Sequence, residues 1–344
     1  MLTTTIVATI FVLGLLVLVH ECGHFVTARL TGMGVREFGI GFGPTLVSRK
    51  VGATVYSLNL IPLGGFVKIA GMDPDEEQTE ESYGSKPIWA RMIVIAAGSI
   101  MNFLLPVLLF FIVLLGSGID QASDQPVIGG LLPDRPAARA GLTPGDRILA
   151  VNGEKIENWM HFVQVIRVNA DKKVTIAYER NGAPGSVAIT PEFDAKANRG
   201  VIGVTPVVTK YQPGPGEAAV MAAKQTVVVA VTIFVGLVQM VTGQAPADVA
   251  GPIGVAQMTG QVAQMGFLPL LQFAAFLSIN LGIINLLPVP VLDGGHLMTL
   301  AIEAVRGKPI SRSKLQVIQT IGFALLMTLL LLATYKDILR NWGY

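Results

Sequence analysis

The chain has 344 residues, of which 51% are hydrophobic and only 14% charged. Globular domains carry about 25% charged residues, so this composition excludes an ordinary soluble enzyme and points to a protein whose solvent is membrane lipid. A net charge of +2 gives no basic surface for nucleic acid, and the single cysteine, Cys22, excludes an intrachain disulfide.

In chain order, residues 1–30 read as a retained first span. Thr5 to Val19 carries no charge, MLTTT lacks a positive n-region, and no small-residue cleavage site follows. Residues 31–87 are a loop of mixed character. "REFGIGFGP" and "TVYSLNLIP" alternate apolar and polar residues around "SRKVGA", which predicts a β-hairpin with that string as its turn. "LGGFVKIAG" adds a candidate strand, and "DPDEEQTEE" (73–81) reads as a solvated acidic loop. A second span covers 88–116. Residues 120–206 are punctuated by Pro126, Gly129–Gly130, Pro144–Gly145 and Asn152–Gly153, as expected of a small soluble domain of short strands. Its "PAARAGLTPGDRILAVNGEKI" resembles the PDZ domains attached to bacterial membrane and periplasmic proteases. Residues 214–244 contain "VVVAVTIFVGLVQM", apolar enough for a span; 267–305 and 315–335 are the last two spans.

The first span holds the unexpected chemistry. His20, Glu21 and His24 spell H-E-x-x-H in a segment that should be apolar, and ionisable groups in hydrocarbon are functional suspects. Residues four apart share a helix face, so both imidazoles reach one zinc ion with the glutamate alongside. Zinc lowers the pKa of a bound water and polarises a carbonyl, while Glu21 shuttles the proton. A chance match on a helix is the plain alternative, but only four histidines exist and two fall here. A third ligand is needed. "NLGIINLLPVPVLDGGH" (280–296) breaks an apolar run with Pro288 and Pro290 just before Asp293. Asp293 is the candidate, against an ordinary Asp-Gly turn at a helix exit; His296 is a weaker one, and His161 reads as a surface or packing residue. Cys22 lies about 200° round the helix from His20, pointing away as a packing residue.

HECGH, "AAGSIMN" (96–102), the PDZ-like insert and "NLLPVPVLDGG" together resemble the bacterial site-2 protease family, with the sigma-E regulators as the nearest branch. The likeness runs the length of the chain. It implies an intramembrane zinc metalloprotease with one Zn2+, His20, His24 and Asp293 as ligands and Glu21 as catalytic base. It implies that Asn285 holds substrate backbone and that the substrates are transmembrane proteins such as anti-sigma factors and remnant signal peptides. It also implies that "GFGP" and "GGFVKIAG" form a membrane-associated β region. The best-studied relative has two PDZ domains in tandem, whereas this chain has room for one.

If one ion binds His20, His24 and Asp293, all three lie at one depth. A crossing by 214–244 would leave Asp293 on the far side of a bilayer ~30 Å thick. That segment is therefore expected to lie on or dip into the outer leaflet. Arg36, Arg49, Lys50, Lys68 and Lys86 in the first loop, with Arg306, Lys308, Arg312 and Lys314 in the last, then both fall inside. The expected architecture is a multi-pass α-helical membrane protein with four transmembrane helices, a membrane-associated β-hairpin or sheet and one inserted PDZ-like domain. It sits in the bacterial cytoplasmic membrane, with the insert outside and the active site near the cytoplasmic face. An unwound substrate is expected to add to a glycine-rich strand edge at Gly41, Gly43, Gly64 and Gly65. The insert either takes a C-terminal carboxylate in "VIGGL" (127–131) or filters substrates by size. Two rival readings are a membrane metal transporter, for which no half-repeats are found, and a catalytically inactive PDZ scaffold.

Overall fold

A computed structural model describes the chain apart from residues 73–75, 77, 195–197, 247–249 and 342–344. It comprises two compact units: Met1–Ser117 with Gly214–Tyr344, and the insert Gly118–Pro213.

Helix α1 (Leu2–Leu30) leads into β1 (Val35–Val51) and β2 (Thr54–Ile69), then α2 (Ile88–Ser117). The expected turn string is mostly strand: β1 runs on to Val51, and the reversal is confined to Gly52 and Ala53, with Gly52 at φ 63°. Nor does "LGGFVKIAG" start a new strand. β1 and β2 pair as a hairpin, and residues 37–40 of β1 also lie between two runs of β2. Ile40 thus faces both Leu58 and Gly65. Of the acidic run, residues 73–75 and 77 lie outside the described residues. Glu76 is tied down, accepting from the Gly71 amide at 2.6 Å and lying 3.5 Å from Arg36. α1 and α2 pack antiparallel: Ala28 shares a core with Ala90 and Val94, and Leu16 shares one with Leu105 and Leu109.

The insert contains β3 (Ile119–Ala122), β4 (Ile128–Leu131), α3 (Pro136–Arg139), β5 (Arg147–Val151), β6 (Glu154–Lys155) and α4 (Trp159–Val168). β7 (Val174–Arg180), β8 (Ala183–Ile189), β9 (Glu192–Asp194), β10 (Arg199–Val201), β11 (Val204–Pro206) and β12 (Val208–Tyr211) follow. A four-stranded sheet in the order β6-β5-β7-β8 covers Ile128, Ile148, Val151, Phe162 and Ile176, all of them buried. Within the unit Asp146 is fully buried. Burial pushes its carboxyl up, but the Arg180 guanidinium at 2.7 Å and the Thr143 amide at 2.8 Å outweigh that and hold it below the usual range. β3 pairs with β12, Ile119 opposite Tyr211, so the unit begins and ends at one place.

The chain continues with α5 (Pro215–Val241), α6 (Pro252–Gln264), α7 (Phe267–Leu286), α8 (Asp293–Arg306) and α9 (Arg312–Asn341). Among the described residues five helices are long and apolar enough to cross a membrane, α5 being the one beyond the four expected. Its Ala222 joins the core of Val12, Leu109 and Ala274. α6 has no counterpart in the sequence reading. Residues 267–305 form two helices separated at the expected proline break, because Pro288 and Pro290 lack an amide donor and force their predecessors extended. α7 runs parallel to α1, Phe267 against Phe11, and antiparallel to α2, Gly116 against Leu268 and Asn102 beside Gly282.

α9 is largely exposed, and Asp337 helps to fasten its far end. Asp337, 2% exposed, accepts from the amides of Gly251 and Gly254 at 3.0 and 2.7 Å, capping α6. Hydrogen bonds to charged groups contribute about 1.5–3 kcal/mol each. Asp337→Leu is expected to destabilise the detergent-solubilised chain by roughly that much or more, and Asp337→Asn by less. Denaturant unfolding checks the order; equal stability of all three would remove Asp337 from the fastening of α9.

Candidate metal centre

Three helices converge on the site. His20 and His24 lie one turn apart on the buried face of α1. Asp293 is the first residue of α8, on the far side of the proline break. Among the described residues these three offer ligand atoms all within 4.8 Å of one another. Nε2 of His20 is 3.1 Å from Nε2 of His24 and 3.5 Å from Oδ2 of Asp293, and His24 Nε2 is 3.7 Å from Oδ1. Tetrahedral zinc, with bonds near 2.0–2.1 Å, holds its ligand atoms about 3.3 Å apart. The observed separations bracket that value, so the donor set fits one zinc ion.

The intervening helix α2 touches every one of these side chains. The Val94 carbonyl lies 2.8 Å from His24 Nδ1; a carbonyl only accepts, so the ring proton sits on Nδ1 and Nε2 is bare. Ser99 Oγ donates to Asp293 at 3.0 Å. The Asn102 amide lies 3.0 Å from His20 Nδ1. Gly98 sits between the rings, where a Cβ would overlap His24 Nε2 and meet His20 Cε1 at 2.7 Å. Thus "AAGSIMN" is a helix face cut to receive the rings. Asn102 is fully buried against His20.

Glu21 is half-buried beside the cluster, and its carboxylate has no hydrogen-bond partner among the described residues. Gly65 of β2 lies over it: a Cβ there would stand 3.1 Å from Glu21 Cγ and 3.2 Å from Val17 Cγ1. The other three glycines serve the sheet itself. Gly41 backs onto the Ile61 carbonyl and Gly64 onto the Phe42 ring, while Gly43 is 3.6 Å from Ile61 Cδ1. Asn285 is half-buried near the end of α7, and its side chain makes no hydrogen bond among the described residues. His296 lines a cavity of about 390 Å³ with Tyr83, Arg91, Thr299, Glu303 and Gln319, where Arg91 and Glu303 pair at 2.8 Å. His161 pairs with Glu154 in the insert at 3.0 Å, and Cys22 is a free, half-buried thiol.

The turn that presents Asp293 is strained. Val291 has φ 82°, a genuine outlier for a β-branched side chain. The two glycines after Asp293 explain how the turn is held. A Cβ on Gly294 would overlap the carbonyls of Leu286 and Leu287, and one on Gly295 the carbonyl of Val289, so α8 starts tucked beneath the end of α7. A substituent on Gly322 of α9 would likewise overlap Pro290.

In the insert, "VIGGL" is not an open loop. Ile128 is fully buried and β4 is paired with β11, with Gly129 against the Pro206 carbonyl. The groove lies elsewhere, a cavity of about 290 Å³ between Trp159, Phe162 and Ile166 of α4 and residues 199–204.

A family model described as peptidase family M50 matches residues 8–329. The regulator of sigma-W protease RasP of Bacillus subtilis is 36% identical, over 99% of this chain and 99% of that one. The zinc metalloprotease RasP of Geobacillus kaustophilus is 38% identical over 97% of each chain, and a putative zinc metalloprotease of Clostridium acetobutylicum 36% over 97% of each. Among solved structures, the PDZ domain of an SdrC-like protein from Listeria monocytogenes aligns with 26% of this chain and 94% of its own, at 25% identity and a TM-score of 0.22.

Proposed function

The chain belongs to peptidase family M50, and from that premise we propose how its own residues cut a peptide bond inside a membrane. It is a zinc metalloendopeptidase of the site-2 type, hydrolysing bonds within transmembrane segments. One observation carries the assignment of roles: His20, His24 and Asp293 hold ligand atoms 3.1, 3.5 and 3.7 Å apart, with Glu21 unpaired beside them. Zinc, when bound there, supplies an acidified water and polarises the scissile carbonyl. Glu21 takes the proton released on attack and returns it to the departing amine. A substrate helix must first unwind, since its peptide bonds are hidden in its own ladder. Gly65 packs directly on Glu21, so an extended backbone added to the edge of that strand runs beside the base, and the free Asn285 amide is available to hold its other side. Gly41, Gly43 and Gly64 support that strand edge by shaping the sheet. The substrates are membrane proteins of the anti-sigma-factor kind and remnant signal peptides, the former in keeping with the name of the Bacillus subtilis relative.

We read four of the five apolar helices as net crossings. The strand pair Ile119–Tyr211 brings the chain back to where it left, so α5 starts at the level where α2 ends. α6 lies at that level too, since Gly260 abuts Thr5 near the start of α1, and α7 starts there with Phe267 against Phe11. The chain therefore makes no net crossing between α5 and α7. His20, His24 and Asp293 then share a depth toward the cytoplasmic end, with both basic loops inside and the insert outside. A single cysteine at Lys308, in a Cys22→Ala background, tests this; Gly307 is unsuitable because its φ is 66°. Protection from an impermeant thiol reagent in intact cells is expected, and labelling from outside would overturn both the four-span reading and the shared depth.

A further inference from the structure

We propose that Asn102 is a positioning residue for the metal site, its side-chain oxygen accepting the Nδ1–H of His20 so that the Nε2 lone pair faces the ligand cluster. The inference rests on reading His20 as a zinc ligand. Its starting point is a mismatch in the hydrogen bonding. The Asn102 side chain is completely buried, and it stands 3.0 Å from His20 Nδ1. With its nitrogen turned toward the ring, Oδ1 is left buried without a partner. A buried acceptor without a donor costs about 1–3 kcal/mol.

The nitrogen and oxygen of a carboxamide occupy equivalent positions, and only the surrounding network distinguishes them. Two arrangements are possible. If Asn102 donates, His20 Nδ1 must accept, and the ring proton moves to Nε2. That proton then points among His24 Nε2 and the Asp293 carboxylate, where a cation has to sit, and Oδ1 remains orphaned. If the amide is turned, Oδ1 takes the Nδ1 proton and Nε2 is bare, as at His24. The second arrangement pairs Oδ1 with a donor, places the amide nitrogen where Oδ1 had stood, and clears the metal position in one rotation.

The neighbouring residues agree. The Val94 carbonyl performs the same task for His24, and the Ser99 hydroxyl steadies Asp293. A single face of α2 thus orients all three side chains. Ser278 of α7 bonds the Asn102 carbonyl at 2.9 Å, which fixes the backbone that carries the amide.

Removing an outer partner of a ligating histidine costs 10–100-fold in metal affinity. Zinc affinity is measured by competition with a chromophoric chelator on the purified full-length chain in detergent. His20→Ala, Asn102→Leu and Asn102→Asp are compared with wild type. Leucine keeps the volume but accepts nothing, whereas aspartate accepts and cannot donate. The expected result is a loss of about 10–100-fold for Asn102→Leu, with Asn102→Asp near wild type or tighter. Wild-type-like affinity in Asn102→Leu would overturn the proposal. So would a loss in Asn102→Asp, because an amide that donates to Nδ1 cannot be replaced by a carboxylate. Asn102→Asp keeps the test decisive should the leucine variant fail to fold. If His20→Ala leaves affinity unchanged, the failure belongs to the ligand assignment instead.

Discussion

Glu21→Gln abolishes cleavage and leaves zinc bound. The substitution keeps the side chain's size and removes only the capacity to take a proton, since an amide oxygen is a far weaker base than a carboxylate. Nothing else should move: Glu21 has no hydrogen-bond partner among the described residues, and the three ligand side chains are held from α2. General-base catalysis contributes typically 10²–10⁴-fold, or about 2.7–5.5 kcal/mol of barrier. The measurement is cleavage of a tagged transmembrane substrate by the purified chain, alongside the zinc content of the same preparation. Loss of turnover with unchanged metal and unchanged substrate binding is expected. A variant cutting within a few-fold of wild type would remove Glu21 from the base role. The same pair of readouts separates the protease from a metal transporter, in which Glu21→Gln would leave a zinc flux intact.

Gly98→Ala, one methyl group, is expected to empty the site. The added carbon overlaps Nε2 of His24, the atom that must carry the metal bond, and crowds His20 Cε1. α2 cannot retreat without cost, because it is already in backbone contact with α1: a Cβ on Gly23 would stand 2.5 Å from the Ala97 carbonyl. The rings must yield instead, by about an ångström, when metal–ligand distances tolerate about ±0.2 Å. Zinc affinity should fall by two orders of magnitude or more, since a ligand bond is lost rather than weakened, while helix content by circular dichroism stays as in wild type. Retained zinc with retained cleavage would mean that the helices separate more easily than their contacts imply.

What the sequence makes legible follows from range. H-E-x-x-H announces two imidazoles on one face because four residues are one helical turn, a purely local fact. The prolines and glycines around Asp293 likewise mark a broken helix wherever they occur. Asp293 itself could be matched with the histidines only by resemblance and by the demand for a third donor. The role of α2 was not legible, since Val94, Gly98, Ser99 and Asn102 read as apolar or small helix-packing residues until His20, His24 and Asp293 stand against them. Val291 contradicts its own local preference, so its positive φ has no signature in the chain. α6 is too short and too polar for a span, and α5 reads the same by hydropathy whether it crosses or returns. Their place depends on Thr5, Phe11 and Asp337, far away in sequence.

The ligands come from α1 and α8, about 270 residues apart in the chain. During synthesis at about 5–20 residues per second, the two histidines and the glutamate are in the membrane for many seconds before Asp293 exists. In that interval the nascent chain has two ligands and no closed site, because the third arrives only with the turn that α7, α8 and α9 clamp together. The enzyme is therefore inert while it is being inserted alongside other unfolded apolar segments, and it becomes competent only once its own last third has docked. Placing the halves of the site about 270 residues apart makes the docking of the later helices the condition for activity.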